Sequence, residues 1–246
     1  MNVNATTSAS AGVSVPDLAV ILAGAGEGRR MEGRGPKLLL ELAGSTLLER
    51  VATTFLAHEA VGEIVVTAPE RFLGRARELI AGAANPRGAR LAVVPGGATR
   101  QESVRAGLAA LERSLPYVAI HDVARALVSA ALIGRVLAAA RASGAAIPAL
   151  PLRDTVKEVH DGRVLRTIPR DRLQGAQTPQ IFARDILARA HAGADSPSAT
   201  ATDDAALVEA LGVAITVVPG DPTNWKLTDP SDLTAFQSQL DLGRGR

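Results

Sequence analysis

The chain has 246 residues, enough for one large α/β domain or two small ones, and a formal charge of only +2. Hydrophobic residues make up 47% of it, yet they include one Trp, one Tyr and four Phe, so Ala, Leu and Val must build the core. No Lys/Arg block is interleaved with aromatics, which excludes a nucleic-acid surface. The absence of cysteine excludes disulfides and thiolate metal sites and fits a reducing compartment, read as the cytoplasm.

Residues 1–16, rich in Ser, Thr, Ala and Asn and without a basic residue, read as a disordered tail rather than a secretory signal. No apolar run reaches the roughly 18 residues that a membrane span needs. A buried strand over 18–22 then runs into a loop with Gly24, Gly26 and Gly28, followed by Arg29, Arg30 and, further on, Lys37. The glycines suggest a tight turn with N–H groups facing an anion. Arg29 stands where G-x-G-x-x-G needs its last Gly, and there is no G-K-[ST], so neither the dinucleotide nor the P-loop fingerprint is met. Glycines and cations side by side favour phosphate binding over a plain structural turn.

Thr46 and Glu49 form a capping-box pattern, with Leu48, Val51 and Phe55 on one helical face. A strand over 63–67, a helix over 70–81, a turn at 85–88 and a strand over 91–94 follow. Gly96 and Gly97 break that strand. Thr99 and Glu102 cap a helix with Val104, Leu108 and Leu111 inward, and a strand over 117–120 ends at His121 and Asp122. A helix over 129–141 and a strand over 145–150 complete an alternation that argues a mostly parallel, Rossmann-like sheet with helices on both faces.

The rhythm then breaks. Two alternating strands, 155–159 and 164–168, flank a turn at Asp161-Gly162 and read as a β-hairpin arm at about 151–172, projecting from a single domain over 17–240. Such an arm suits docking on a second subunit. Helices over 183–191 and 203–211, a strand over 213–218 and a closing helix capped by Asp229 with Pro230 at its first position finish the pattern; 241–246 read as a frayed end.

Asp122 and Arg125 at a strand's carboxyl end suit either a ligand hydroxyl or an ion pair that fixes the loop. Arg170, Thr178 and Lys226 are not separable from solvated surface by spacing. The four histidines lack metal-ligand spacing, and His58 and His191 read as charge complements at helix ends.

Taken in order, AGAGEGRRM (23–31), Pro36-Lys37, GGATRQESV (96–104), HDVAR (121–125), RDTVK (153–157), Arg170, QTPQ (177–180), TDDA (202–205) and NWKLT (224–228) make the chain resemble the cytidylyltransferases that join CTP and 2-C-methyl-D-erythritol 4-phosphate in the non-mevalonate isoprenoid route. Related cytidylyltransferases for ribitol phosphate share this framework. The resemblance implies a homodimer through the arm, with CTP, a polyol phosphate and Mg²⁺ held mainly by the CTP phosphates. It implies that Arg30 and Lys37 contact the triphosphate, that Gly24, Ala25 and Gly26 line the CTP site, and that Gly97 and Ser103 lie toward cytosine and ribose. Asp122 would stand between ribose and acceptor, with Arg125 on the substrate side. Thr155 and Arg170 would reach the neighbouring subunit's site, and Thr178, Thr202 and Lys226 would complete the acceptor pocket. Glu27 departs from the family pattern.

Overall fold

The computed structural model describes residues 15–26, 35–193 and 201–244. Strand and helix alternate through β1 (Leu18–Ala23), a ribbon of β2 (Glu41–Leu42) and β3 (Ser45–Thr46), α1 (Leu47–Leu56), β4 (Val61–Ala68), α2 (Leu73–Ala81) and β5 (Arg90–Pro95). They continue as α3 (Arg100–Ala109), β6 (Tyr117–Asp122), α4 (Ala130–Ser143) and β7 (Ala145–Pro151). Then β8 (Val156–His160) and β9 (Arg163–Ile168) pair only with each other, while β10 (Gln174–Ala176) and β11 (Gln180–Ala183) return to the sheet. The chain closes with α5 (Arg184–Ala192), α6 (Asp204–Ala210), β12 (Thr216–Pro219) and α7 (Pro230–Arg244).

The main sheet runs β10-β7-β11-β6-β1-β4-β5, with β12 beside β7. The pairs β6–β1, β1–β4, β4–β5 and β12–β7 are parallel; β11 lies antiparallel to both β6 and β7, and β10 antiparallel to β7. Side-chain alternation along β1 shows why both faces must be covered. Leu18, Val20 and Leu22 join Val51 and Phe55 of α1, Ile80 of α2 and Ile133 of α4 on one face. Ala19 and Ile21 join Val104 of α3, Leu187 of α5 and Val208 of α6 on the other.

Both capping boxes form: Thr46 with Glu49 starts α1 and Thr99 with Glu102 starts α3. The inward face of α3 is Ser103, Val104 and Gly107, with Leu108 only half-buried. A side chain at 107 would meet Ile21 Cγ2 at 2.6 Å, so α3 lies closer to the sheet than a leucine stripe would allow. Residues 70–72 form a 3-10 turn and α2 begins at Leu73; β12 begins at Thr216 rather than 213. Residues 241–244 are helical, continuing α7 past 240. At the start of α7, Asp229 directly precedes Pro230, and Asp232 in the first turn reaches back to accept from the N–H groups of Thr228 and Asp229.

Two strands of the main sheet have no counterpart in the periodicity reading. Both β10 and β11 are three or four residues long, on either side of a cis bond at Thr178-Pro179. They are too short for period-two alternation to register. Their effect is large, because residues 177–179 leave the ladder beside the end of β6. The arm keeps the expected form: Asp161 (φ 47°) and Gly162 (φ 71°) adopt the left-handed backbone of a type I′ turn.

Candidate active site

The carboxyl ends of β1, β5 and β6 open onto one cleft of about 850 Å³. That is where ligands lie in open α/β sheets, because the loops diverge there. Gly24, Ala25 and Gly26 form one wall, Gly96, Gly97 and Ser103 another, and Lys37, Asp122 and Lys226 bring charge to it. Neither Gly24 nor Gly26 has positive φ, so the first loop needs no left-handed residue among its described glycines. Gly96 is constrained by close approach. A Cβ there would lie 2.1 Å from Ala25 Cβ and 2.8 Å from Ser103 Oγ, so the two loops touch only because 96 has no side chain. Ser103 turns its hydroxyl into its own loop, accepting from Gly97 N–H (3.1 Å) and donating to Thr99 carbonyl (2.8 Å).

Asp122, the last residue of β6, is the electrostatic centre of the cleft. Its Oδ1 meets Arg100 Nε at 3.0 Å and its Oδ2 meets Lys226 Nζ at 2.7 Å. Burial pushes the carboxyl up, but Arg100 and Lys226 together outweigh it and hold the group well below the usual carboxylate range. The Asp122–Arg125 ion pair considered from spacing does not form. Arg125 instead donates to the carbonyls of Asn224 (2.9 Å) and Ala176 (3.3 Å), and burial lowers its pKa.

Behind Asp122 lies a wired chain of hydrogen bonds. His121 is fully buried, and burial pushes its pKa down to about 4, so the ring is neutral. Its Nε2 faces the Arg125 carbonyl at 3.2 Å and must donate, which leaves Nδ1 to accept from Thr178 Oγ1 at 3.1 Å. Thr178 Oγ1 in turn accepts from Asp122 N–H at 3.1 Å. Thr178, expected to contact the acceptor, therefore spends its hydroxyl inside the fold and is buried. It holds the backbone of Asp122.

The segment 224–228 supplies Lys226 and is tied down on both sides. Asn224 Nδ2 donates to the Thr178 carbonyl at 2.7 Å, and Leu227 N–H donates to the Ala124 carbonyl at 2.8 Å. Lys37 Nζ donates to the carbonyls of Leu227 (2.8 Å) and Thr228 (2.9 Å), so two of the expected cations share one ordered strip of backbone.

Of the residues singled out from sequence, Gly24, Ala25, Gly26, Lys37, Gly97, Ser103, Asp122 and Lys226 line the cleft. Arg125 stands behind it. Thr202 is exposed ahead of α6, and Thr155 and Arg170 are exposed at the base of the arm; none of the three lines the cleft of their own chain. Arg30 and Glu27 lie outside the described residues. The histidine readings change: His58 is half-buried, accepting from Ala60 N–H, and burial lowers its pKa. His191 is buried with Nε2 3.0 Å from Asp204 Oδ1. The sequence reading assigned no role to Arg100 and Asp204, which meet at 2.6 Å. Each opens a helix from within a motif, Arg100 in GGATRQESV and Asp204 in TDDA, but 104 residues separate them, and no local pattern joins such a pair.

Residues 18–241 match the family model described as IspD: 2-C-methyl-D-erythritol 4-phosphate cytidylyltransferase. A 2-C-methyl-D-erythritol 4-phosphate cytidylyltransferase of Frankia casuarinae is 42% identical over 230 residues, 93% of this chain and 83% of its own. A bifunctional enzyme IspD/IspF of Clavibacter michiganensis subsp. michiganensis is 44% identical over 234 residues, 94% of this chain, which spans only 56% of that longer protein. Among solved structures, 2-C-methyl-D-erythritol 4-phosphate cytidylyltransferase from Thermus thermophilus superposes with a TM-score of 0.73 at 38% identity, covering 91% of this chain and 98% of that one.

Proposed function

The chain belongs to the 2-C-methyl-D-erythritol 4-phosphate cytidylyltransferase family, and from that premise we propose how its cleft carries the reaction. The protein transfers CMP from CTP to 2-C-methyl-D-erythritol 4-phosphate, giving 4-diphosphocytidyl-2-C-methyl-D-erythritol and pyrophosphate, in isoprenoid precursor biosynthesis. The observation that carries the assignment of roles is the convergence of two touching glycine loops, Lys37 and the Asp122–Lys226 pair on one cleft.

An oxygen of the acceptor phosphate attacks the α-phosphorus of CTP, a new P–O bond forms, and the bond to the β-phosphate oxygen breaks. A phosphate monoester loses its second proton near pH 6, so the nucleophile is already ionised at neutral pH and no protein base is required. Catalysis is then positioning and charge compensation. Lys37 and Arg30 hold the triphosphate, and the backbone of Gly24, Ala25 and Gly26 lets it approach. Gly97 and the Ser103 loop receive the nucleoside. Asp122 stands between ribose and acceptor, and Lys226, already paired to it, orients the acceptor phosphate. Arg125 and Thr178 keep β6 and the 224–228 strip in register, and Thr202 closes the acceptor side.

Among the described residues no group of three His, Cys, Asp or Glu could hold a metal ion, and both Asp122 oxygens already face cations. Mg²⁺ would enter on the CTP phosphates, as part of the substrate, and would there supply charge neutralisation for the pyrophosphate. The arm supports a homodimer. Val159, Val164 and Leu165 are 55–61% exposed on it, with Val159 and Val164 paired on one face and Leu165 on the other. Arg170 and Thr155, at its base, reach the partner's acceptor pocket. The cytoplasm, where CTP is available, is the compartment of the reaction.

Purified protein incubated with CTP and Mg²⁺ should release pyrophosphate with 2-C-methyl-D-erythritol 4-phosphate and not with ribitol 5-phosphate. Release with ribitol 5-phosphate alone would move the acceptor assignment, and release with neither would overturn the reading.

A further inference from the structure

A file of charged and polar groups leads away from the cleft through three helix ends. Arg100, the first residue of α3, sends Nε to Asp122 Oδ1 (3.0 Å) and Nη1 to Asp204 Oδ2 (2.6 Å). Asp204, the first residue of α6, is only 1% exposed, and its Oδ1 meets Nε2 of His191 in the last turn of α5 at 3.0 Å. We propose that Asp204 and His191 are positioning residues that hold the Arg100 guanidinium, and through it the Asp122 carboxylate, in the orientation that cytidylyl transfer needs. This rests on the cytidylyltransferase reading of the cleft.

Three physical arguments lead there. Burying ionised groups costs several kcal/mol each, and such clusters are often no more stable than apolar packing of the same volume, so stability alone does not account for this one. The helix dipoles sharpen the point: Asp204 suits the positive N-terminus of α6, but Arg100 sits at the N-terminus of α3, where a cation is disfavoured. Its place is set by the two carboxylates, which raise its pKa above the ordinary arginine value against the effect of burial. Finally, His191 bonds in one direction. Its Nδ1 is buried without a hydrogen-bond partner among the described residues, so the ring's bonding is directed wholly at Asp204.

The file also joins the two halves of the reaction. Arg100 belongs to the loop–helix unit of Gly97 and Ser103 on the nucleotide side. Asp204 follows Thr202 on the acceptor side, and Asp122 lies where both meet. Loosening Asp204 should therefore blur the relative placement of the reactants rather than weaken either one's binding. That separates kcat from KM.

His191→Leu removes the donor to Asp204, whereas His191→Gln returns an amide N–H near the place of Nε2. In the Leu variant kcat should fall about tenfold, equivalent to about 1.4 kcal/mol in the barrier, with KM for CTP within about twofold of wild type. The Gln variant should recover most of kcat, and Asp204→Asn should repeat the Leu signature, serving as the test should the Leu protein not fold. In ¹⁵N NMR, solvent exchange of the Arg100 Nε–H should quicken in His191→Leu and Asp204→Asn and slow again in His191→Gln. That readout needs no turnover, so it stands apart from the reading of the reaction, which wild-type pyrophosphate release tests. Wild-type kcat and unchanged Nε–H exchange in both His191→Leu and Asp204→Asn, with only melting temperatures lowered, would overturn the proposal.

Discussion

The cleft and the arm use the same residue types to opposite ends. At the cleft, Asp122, Asp204, Arg100 and Lys226 meet one another within 3.0 Å, three of them largely withdrawn from water. On the arm, Arg166 pairs with Glu158 and His160 lies 3.3 Å from Asp161, with all four side chains exposed to solvent. Burial makes the first set a rigid device, because a displaced charge there would face low dielectric unpaired. Solvent screens the second set, and a two-stranded hairpin with no core of its own is marginal alone. The cleft carries its own geometry; the arm's two strands pair only with each other.

Removing Lys37 strikes the cleft hardest. Lys37→Ala should lower kcat by about 10²–10³, the cost of deleting one preorganised charge donor, and should also lower the melting temperature, because the Leu227 and Thr228 carbonyls lose that donor. Initial rates of pyrophosphate release with parallel melting curves check this; a near-wild-type rate would remove Lys37 from the chemistry.

The next test asks whether arm and cleft meet across two chains. Inactive Lys37→Ala and Arg170→Ala proteins, mixed and allowed to exchange subunits, should recover about a quarter of wild-type activity, because half the dimers are mixed and each holds one intact site. No recovery after confirmed exchange would confine Arg170 to its own chain.

A third test reads burial through pH. His121 is held to about 4 against an ordinary 6.5. Between those values the unfolded chain binds a proton that the folded chain does not, so stability is full above 6.5 and falls as pH drops toward 4, by on the order of 3 kcal/mol. Asp122 does not offset this loss, since its depressed carboxyl gives up its contribution only below the usual carboxylate range. Urea unfolding between pH 7.5 and 4.5 measures the slope, and His121→Asn should flatten it. An unchanged slope in that variant would assign the loss to other groups.

The smallest effect belongs to the arm. Arg166→Ala breaks an exposed pair and should alter stability by less than about 1 kcal/mol in the same urea assay. A larger loss would mean the pair is covered in the assembled protein.

Much of this contrast is legible in the chain itself. Thr46 with Glu49 and Thr99 with Glu102 announce two helix starts, and Asp161-Gly162 announces the arm's turn, because each is settled by bonds within a few residues. The succession of apolar strand and helix along the chain foretells helices on both faces. The short strands β10 and β11 could not be foreseen, as their pairing lies with β6 and β7 rather than within themselves.

The site divides in the same way. Gly24 to Gly26, Lys37, Gly97, Ser103, Asp122 and Lys226 lie in the ordered motifs that carry the family resemblance, and the fold brings them to one cleft. Which atoms they face was decided only by the fold. It turned Thr178 inward onto Asp122 N–H, sent Arg125 to backbone carbonyls, and brought Arg100, Asp204 and His191 into one file. Local bonds are written in neighbouring residues, whereas burial and long-range charge pairing exist only once distant segments have packed.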